Sequence, residues 1–447
     1  MRPSTSSPRP LSGLASLLGA PSGTSRTALA AVSGVTIDSR QVRRGDLYVA
    51  LPGATAHGAD FAAQALSAGA AAILTDPEGR EAAVATGLPV LVVDDPRALL
   101  GRVAAWVYGD PAREVTVIGV TGTSGKSTTT FLLEAGLRAA GHRTGLIGGV
   151  EIHAGDLRFA PKLTTPEASD LQGLFALMRE EGVTAAAMEV SSHALALGRV
   201  DSVFYDVALF TNLSQDHLDF HKDLDDYFAT KARLFTPEMS RVGVVNVDDA
   251  HGRELLGRAG IPMTTFSARG AGEAEWRAVD VRLGADGSVF RVAGPGGVEE
   301  DVTLALPGPF NVANALGAIV SLVEAGVPLR TAVAGVGALP GVPGRMERVP
   351  GAEDFQVIVD YSHKPGAVES VLRSVREVTA GRLTVVLGCG GDRDRGKRPM
   401  MGRPPPAWRM WLSSPATTLA RRTPADPGRD DGRSPRRARG GARTCDH

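Results

Sequence analysis

The stretch EVTVIGVTGTSGKSTTT, Glu114–Thr130, decides the fold. Its first half is a short apolar run rich in β-branched residues and reads as a buried strand. Gly119, Gly122 and Gly125 punctuate the turn that comes next, and TTTFLLEAGLRAAGH has helical periodicity up to a stop at Gly141. In this order, strand, glycine-rich turn and helix make a phosphate site. The glycines let backbone N–H groups close around phosphate oxygens, and the helix N-terminus adds partial positive charge. Lys126 can bridge the outer phosphates and the Ser127 hydroxyl can hold Mg²⁺. The spacing G-x4-G-K-[ST] is not met, because residue 120 is Val; the shorter T-G-T-x-G-K-[ST] form is present. A nucleoside triphosphate site is expected.

Downstream, the strand candidates TAAAMEV, YDVALFTN and VGVVNVDD alternate with helical stretches. That alternation predicts an α/β fold with a mostly parallel sheet wrapped by helices. Upstream, Val32 to Gly109 carries a smaller α/β pattern. GVTIDSRQVRRGDLYVALPG reads as two strands around a turn, and ADFAAQALSAGAAAILTD as a helix feeding a strand. Beyond the joint LPGVPGRMERVPG a third unit begins with the strand FQVIVDYSH, the helix GAVESVLRSVREVTAG and the strand LTVVLGCGG. The expected organisation is a flexible arm (1–25), a first domain (26–110), a central P-loop domain (111–340), a partial third domain (341–402) and an aberrant tail (403–447). A chain of 447 residues suits about three domains.

Composition narrows the class. With 48 Lys+Arg against 49 Asp+Glu, the net charge of −1 gives no global field toward nucleic acid or an acidic membrane. Cys389 and Cys445 make neither a disulfide framework nor a cysteine zinc site, which suits a reducing, cytoplasmic compartment. No apolar run approaches the roughly 18 residues of a spanning helix. The start, MRPSTSSPRPLSGLASLLGA, reads as a frayed arm leading into a short helix. Only six of the cations are Lys, at 126, 162, 222, 231, 364 and 397, so each invites the question whether an amine is required.

Glu189 lies near the end of TAAAMEV, where a P-loop fold places an acid near Mg²⁺. Asn212 ends the next strand, and His217 comes soon after beside Asp216, where an imidazole next to carboxylates suits a metal. His217 and His221 are four apart, as in helical zinc sites, but the glutamate base that would adjoin the first histidine is absent. His193, in EVSSHAL, reads as a packed or hydrogen-bonded histidine.

TGTSGKSTT, MEVSSHAL, TNLSQDHLDFH with DDYFATKARLF, GPFNVANALGA, GRMERV, VDYSHKPGA and GCGGDRDRGKRPMMG occur in that order. Together they resemble the Mur ligase family of ATP-dependent amide-bond ligases of cell-wall synthesis, in particular its tripeptide-forming members. The opening DSRQVRRGDLYVALPG…HGADF resembles the family's UDP-sugar domain, and the likeness covers about residues 30 to 402. It implies a three-domain architecture with a truncated, Rossmann-like C-terminal domain. It also implies addition of meso-diaminopimelate to UDP-N-acetylmuramoyl-L-Ala-D-Glu by a monomer, with no nucleic-acid or membrane partner. Alternatives are addition of L-lysine, another Mur ligase activity, or a catalytically inactive form that still binds ATP and the muramoyl-dipeptide.

Residue by residue, the resemblance puts the UDP end at Ile37, Ser39 and Ala54, Thr55 and Ala56. It puts the muramoyl-peptide at Thr164, Thr165, Ser191 and Arg199; Leu197 stands where other members carry Gln. ATP would be wrapped by Gly122, Thr123, Ser124, Gly125, Lys126, Ser127 and Thr128, with Asn311, Asn314, Arg345 and Asp360 lining the nucleotide. Ser127, Glu189 and His217 would be Mg²⁺ ligands, with Lys126, His217 and Lys231 catalytic. Lys231 matches the lysine that the family carboxylates, and Arg393 the contact to the incoming amino acid. Without the motif around it, Lys231 would read as a solvent-facing helix lysine.

From Arg403 the chain is rich in Arg and Pro, has no Lys or Glu, and shows no core periodicity. Read one base out of register, codons allowed by Arg403 to Pro424 can spell AAARLADVAVVTSDNPREEDP, which contains the family's D-N-P-R loop. The expectation is a one-base deletion near Gly402, followed by out-of-frame residues that do not fold.

Overall fold

The apolar run Thr116–Thr121 forms a strand at the heart of an eleven-stranded sheet, and the computed structural model shows why it must be apolar on both sides. Along it and its neighbours, side chains alternate between two cores. Val117, Met188, Ala208 and Phe210 face one, and Ile118, Val120, Ala187 and Leu209 face the other, all fully buried. A parallel sheet covered by helices on both faces needs this pattern. Each such Val, Ile or Leu contributes roughly 1.5–3 kcal/mol by burial. The structure describes residues 1–19, 29–349, 351, 355–363, 365–387 and 410–411.

In chain order, β1 (Arg9–Pro10), α1 (Leu11–Leu18) and β2 (Ala31–Val32) precede a small parallel sheet. That sheet has the order β3 (Gly34–Thr36), β4 (Asp46–Val49), β5 (Ala72–Thr75), β6 (Val90–Val92). It carries α2 (Ala62–Ser67), α3 (Arg80–Val84) and α4 (Pro96–Tyr108).

The large sheet is built from β7 (Thr116–Thr121), β8 (Thr144–Ile147), β9 (Ile152–Ala154), β10 (Leu157–Phe159), β11 (Ala185–Glu189) and β12 (Tyr205–Phe210). It continues with β13 (Ser240–Asn246), β14 (Met263–Ser267), β15 (Trp276–Gly284), β16 (Gly287–Ala293) and β17 (Glu299–Leu304). The order is β10-β9-β8-β11-β7-β12-β13-β14-β15-β16-β17, parallel from β8 to β15 and antiparallel at both edges.

Around it lie α5 (Lys126–Ala139), α6 (Ala168–Glu180), α7 (Ser192–Ala196), α8 (Leu224–Ala232), α9 (Ala250–Leu256), α10 (Pro309–Glu324) and α11 (Leu329–Gly337). Because β11 and β12 flank β7 in parallel, the segments leaving all three strands emerge at one edge of the sheet. Ligands of open α/β sheets bind at that carboxyl edge.

Beyond it, β18 (Glu347–Val349) and β19 (Val357–Val359) pair antiparallel, and α12 (Pro365–Val378) comes next. The chain divides after residue 382 into a first unit and a second, of which 383–387 and 410–411 are described. In the second, β20 (Val385–Val386) pairs in parallel with β21 (Met410–Trp411).

Two expectations need correction. Residues 1–19 are not a flexible arm: β1 pairs with β2, and Leu11, Leu14 and Ala15 of α1 are fully buried in the core of the first sheet. The spacing Leu11, Leu14, Ala15 puts three apolar groups on one helix face, and that stripe outweighs the Ser, Gly and Pro around it. Within the tail, Met410–Trp411 forms a strand. The other residues of 403–447, together with Arg393 and Lys364, lie outside the described residues.

Candidate active site

The loop between β7 and α5 closes through glycine conformations. Gly122 has φ +140° and Gly125 φ +88°, the left-handed side that L residues avoid. A Cβ on Gly122 would sit 2.0 Å from Thr211 Oγ1, and one on Gly125 2.4 Å from Asn314 Oδ1. Thr211 and Asn212, the two residues after β12, hold the loop in place. Asn212 accepts the Ser124 N–H at 3.0 Å and donates back to the Ser124 carbonyl at 3.1 Å, while the Thr211 hydroxyl donates to that carbonyl at 2.8 Å. The Thr123 hydroxyl meets Tyr227 Oη at 3.2 Å, and burial raises the Tyr227 phenol above its ordinary range despite that bond. Lys126 Nζ donates to the carbonyls of Gly122 at 2.8 Å and Thr123 at 3.1 Å. Thr128 lies buried in the first turn of α5.

Of the other four expected nucleotide residues, Asn314 beside Gly125 and Arg345 at Ser127 touch this loop, and Asn311 and Asp360 adjoin those two. Asn314 donates to Asn311 Oδ1 at 3.1 Å, and both side chains are buried on α10. Arg345 Nη2 donates to Ser127 Oγ at 3.0 Å, with its guanidinium 4.6 Å from the centre of the Tyr361 ring. Asp360 accepts the N–H of Met346, the residue after Arg345, at 2.9 Å.

Lys231 is not the solvent-facing lysine that a helix position suggests. It is 1% exposed, its Nζ donates to the Gly122 carbonyl at 2.9 Å, and it lies 4.6 Å from the centre of the Tyr227 ring. Lys126 and Lys231 thus share one carbonyl oxygen. Glu189, at the end of β11, is buried and accepts the Gly149 N–H at 2.9 Å. His217 has φ +54°, an uncommon backbone for a non-glycine residue, and its Nε2 lies 3.0 Å from Asp216. Its ring meets His193 edge-on at 4.8 Å, while His193 stacks on Phe220 at 4.1 Å. Burial, aided by His217, His221 and Arg199 against an opposing Asp219, holds the His193 imidazole down at about 4. It is a packed, neutral histidine at pH 7.

The residues expected to hold the muramoyl-peptide form a second cluster beside Glu189. The Thr165 hydroxyl donates to the Glu189 carbonyl at 2.8 Å and accepts the Ser191 N–H at 3.1 Å. Arg199 pairs with Glu167 at 2.8 Å, and its buried Nε has no hydrogen-bond partner among the described residues. A Cβ on Gly149 would lie 3.1 Å from Thr164 Oγ1, which puts Thr164 on the glycine turn that Glu189 braces. The expected UDP residues lie on the first domain instead. Ser39 is buried and donates to Gln64 at 2.7 Å, Ile37 is half-buried before it, and Ala54, Thr55 and Ala56 form an exposed loop beside His57.

Glu167, Tyr227, Thr211 and Tyr361 were not singled out by sequence reasoning. Thr211 and Tyr227 sit inside quoted motifs, but their contacts cross about 90 to 100 residues of chain. Glu167 carries a weak signal, as the acid in TTPEA before a helix.

Known proteins share these features in sequence and in fold. Residues 31–108 match the Mur ligase family catalytic domain, 120–322 the Mur ligase middle domain, and 344–410 the Mur ligase glutamate ligase domain. The UDP-N-acetylmuramoyl-L-alanyl-D-glutamate--2,6-diaminopimelate ligase of Streptomyces avermitilis is 57% identical over 403 residues, 90% of this chain and 78% of the relative. The chain belongs to the Mur ligase family. Members of this family are ATP-dependent amide-bond ligases. The Mur ligase of the same name from Corynebacterium glutamicum is 47% identical over 380 residues, 83% of this chain and 73% of that one. A solved structure of a UDP-N-acetylmuramoyl-L-alanyl-D-glutamate--2,6-diaminopimelate ligase superposes with TM-score 0.68 at 31% identity, covering 85% of this chain and 77% of its own. MurF from Acinetobacter baumannii shares the fold, with TM-score 0.66 at 21% identity over 86% of this chain and 79% of that one. Among the described residues no helix of this Mur ligase is long and apolar enough to cross a membrane.

Proposed function

We propose that this Mur ligase joins meso-diaminopimelate to the D-Glu side chain of UDP-N-acetylmuramoyl-L-Ala-D-Glu, at the expense of ATP, in peptidoglycan precursor synthesis. The observation that carries the reading is the convergence of two clusters. Thr165 sits against Glu189 with Ser191 and Arg199 on Thr165, and the glycine loop sits against Lys126 and Lys231. In this reaction class the γ-phosphoryl goes to the carboxylate, the amine attacks the resulting acyl phosphate, and phosphate leaves. Two anions must approach each other, so catalysis is mostly positioning and charge neutralisation.

The residues fit the nucleotide. Both glycines are positions a side chain would block, and the loop amides open α5 at its positive end. We assign Gly122 to Thr128 to the phosphates and Asn311, Asn314, Arg345 and Asp360 to the rest of the nucleotide. Among the described residues no group of three or more His, Cys, Asp or Glu could cage a metal. Mg²⁺ is usually held by one or two carboxylates together with phosphates and water, so Ser127, Glu189 and His217 suit it. When bound, it would supply positive charge at the oxygens between which phosphoryl transfer occurs.

Two ammonium groups on the Gly122 carbonyl repel each other. Carboxylation of Lys231 by CO₂ turns one of them into an anion, replaces repulsion by attraction, and is the modification we propose there. Arg199, steadied by Glu167, would pair with an acceptor carboxylate through its guanidinium. Ile37, Ser39 and the loop Ala54–Thr55–Ala56 would hold the UDP end, and Arg393 the incoming amino acid. We further propose a cytoplasmic monomer, and a coding-frame shift near Gly402 that replaces the rest of the amino-acid pocket. Phosphate release from ATP with muramoyl-dipeptide plus either amine tests the reading. Release with diaminopimelate alone supports it; release with L-lysine alone, or with neither amine, rejects the proposed reaction for this chain.

A further inference from the structure

His221 is almost fully buried and belongs to neither cluster, yet it touches the supports of both. Its Nε2 lies 3.0 Å from Ser192 Oγ, and its Nδ1 3.2 Å from Asp226 Oδ2. Asp226 is a carboxylate and only accepts, so Nδ1 carries a proton toward it, while Nε2 pairs with the Ser192 hydroxyl. Asp226 also accepts the Lys222 N–H at 3.2 Å, and its own N–H is held by Asp223 at 2.8 Å. The serine–histidine–aspartate order has the connectivity of a hydrolytic triad. Ser192, however, is 2% exposed, so no acyl group reaches its hydroxyl.

Ser192 comes directly after Ser191, whose N–H is fixed by Thr165 in the acceptor cluster. Asp226 stands in the first turn of α8, and later positions of the same helix bring Tyr227 to Thr123 and Lys231 to Gly122. The His221 ring itself tilts against Tyr227 at 5.0 Å between centroids. One imidazole therefore ties the acceptor segment to the helix that buttresses the phosphate loop. We infer that His221 is a positioning residue that sets the acceptor segment against the Lys231 helix, through its paired hydrogen bonds to Ser192 and Asp226. Two ring nitrogens in fixed relation let one side chain bond the Ser192 hydroxyl and the Asp226 carboxylate on its two sides.

For its kinetic arm the inference rests on the ligase reading, so the test has two arms on the full chain. In the first, Ser192→Ala lowers kcat about tenfold or more and raises the acceptor KM, with the KM for ATP within about twofold of wild type. His221→Asn, whose amide replaces Nδ1 but not Nε2, does the same, and combining it with Ser192→Ala costs little more. Wild-type kinetics in Ser192→Ala, additive losses in the double variant, or a parallel loss of ATP affinity would overturn the inference. The second arm needs no turnover. Amide hydrogen exchange over residues 190–196 and 224–231 should rise together, about tenfold or more, in His221→Ala. Exchange that stays at the wild-type level, or rises in only one segment, overturns the inference even if the wild type ligates neither amine.

Discussion

Glu134 sits on the phosphate-loop helix, buried, and reaches across to His153 on β9 at 2.9 Å, with Thr144 at 3.0 Å and Arg138 alongside. Burial alone would raise its carboxyl. The hydrogen bond and charge of His153, with Arg138 and Thr144, outweigh burial and hold it below the ordinary 4.5. A depressed carboxyl stabilises the fold fully above its ordinary value, and that stability is lost as pH falls through the lower folded value. Breaking a buried pair by removing one partner costs about 3–5 kcal/mol. Glu134→Ala is therefore expected to lose about that much at pH 7 in denaturant melts. The gap to wild type should shrink as pH drops below the ordinary carboxylate range; a gap that does not change with pH would refute the assignment. Such pairs were not legible in the sequence, because His153 and Glu134 meet only once the β8–β9 hairpin folds back on the helix.

At the scale of elements, β7, α5, β11 and β12 were legible because apolar runs, glycines and helical periodicity agree with one another there. Lys231 was legible as a helix residue but not as a buried one; only the crossing of α8 over the phosphate loop turns it inward. The helix α1 was legible as a short helix but not as a buried one, because its apolar stripe of three positions is short and lies among Ser, Gly and Pro. Its burial makes a prediction. Leu14→Ala should cost about 2–5 kcal/mol of stability by thermal or denaturant melting, the range for a buried leucine. A frayed arm would show no change. The strand Met410–Trp411 marks a similar limit, since two residues carry no period to read.

For the whole molecule, the sheet order matters more than any single motif. Placing β11 and β12 on either side of β7 brings Glu189, Asn212 and the glycine loop to one carboxyl edge, where sequence order alone could only set them in a row. The expected nucleotide residues within the described chain gather there, and the expected UDP residues stay on the first sheet. In the proposed reading, a site assembled from three neighbouring parallel strands and a glycine turn takes phosphate before it is specific for any amine. Equilibrium binding of ATP in the presence of magnesium, to wild type and to Lys126→Ala, is accordingly the most direct measurement. The account predicts saturable binding by the wild type and at least about tenfold weaker binding by the variant, the effect of losing one charged hydrogen-bond donor. Failure of the wild type to bind ATP, or equal affinity in the two proteins, would contradict it.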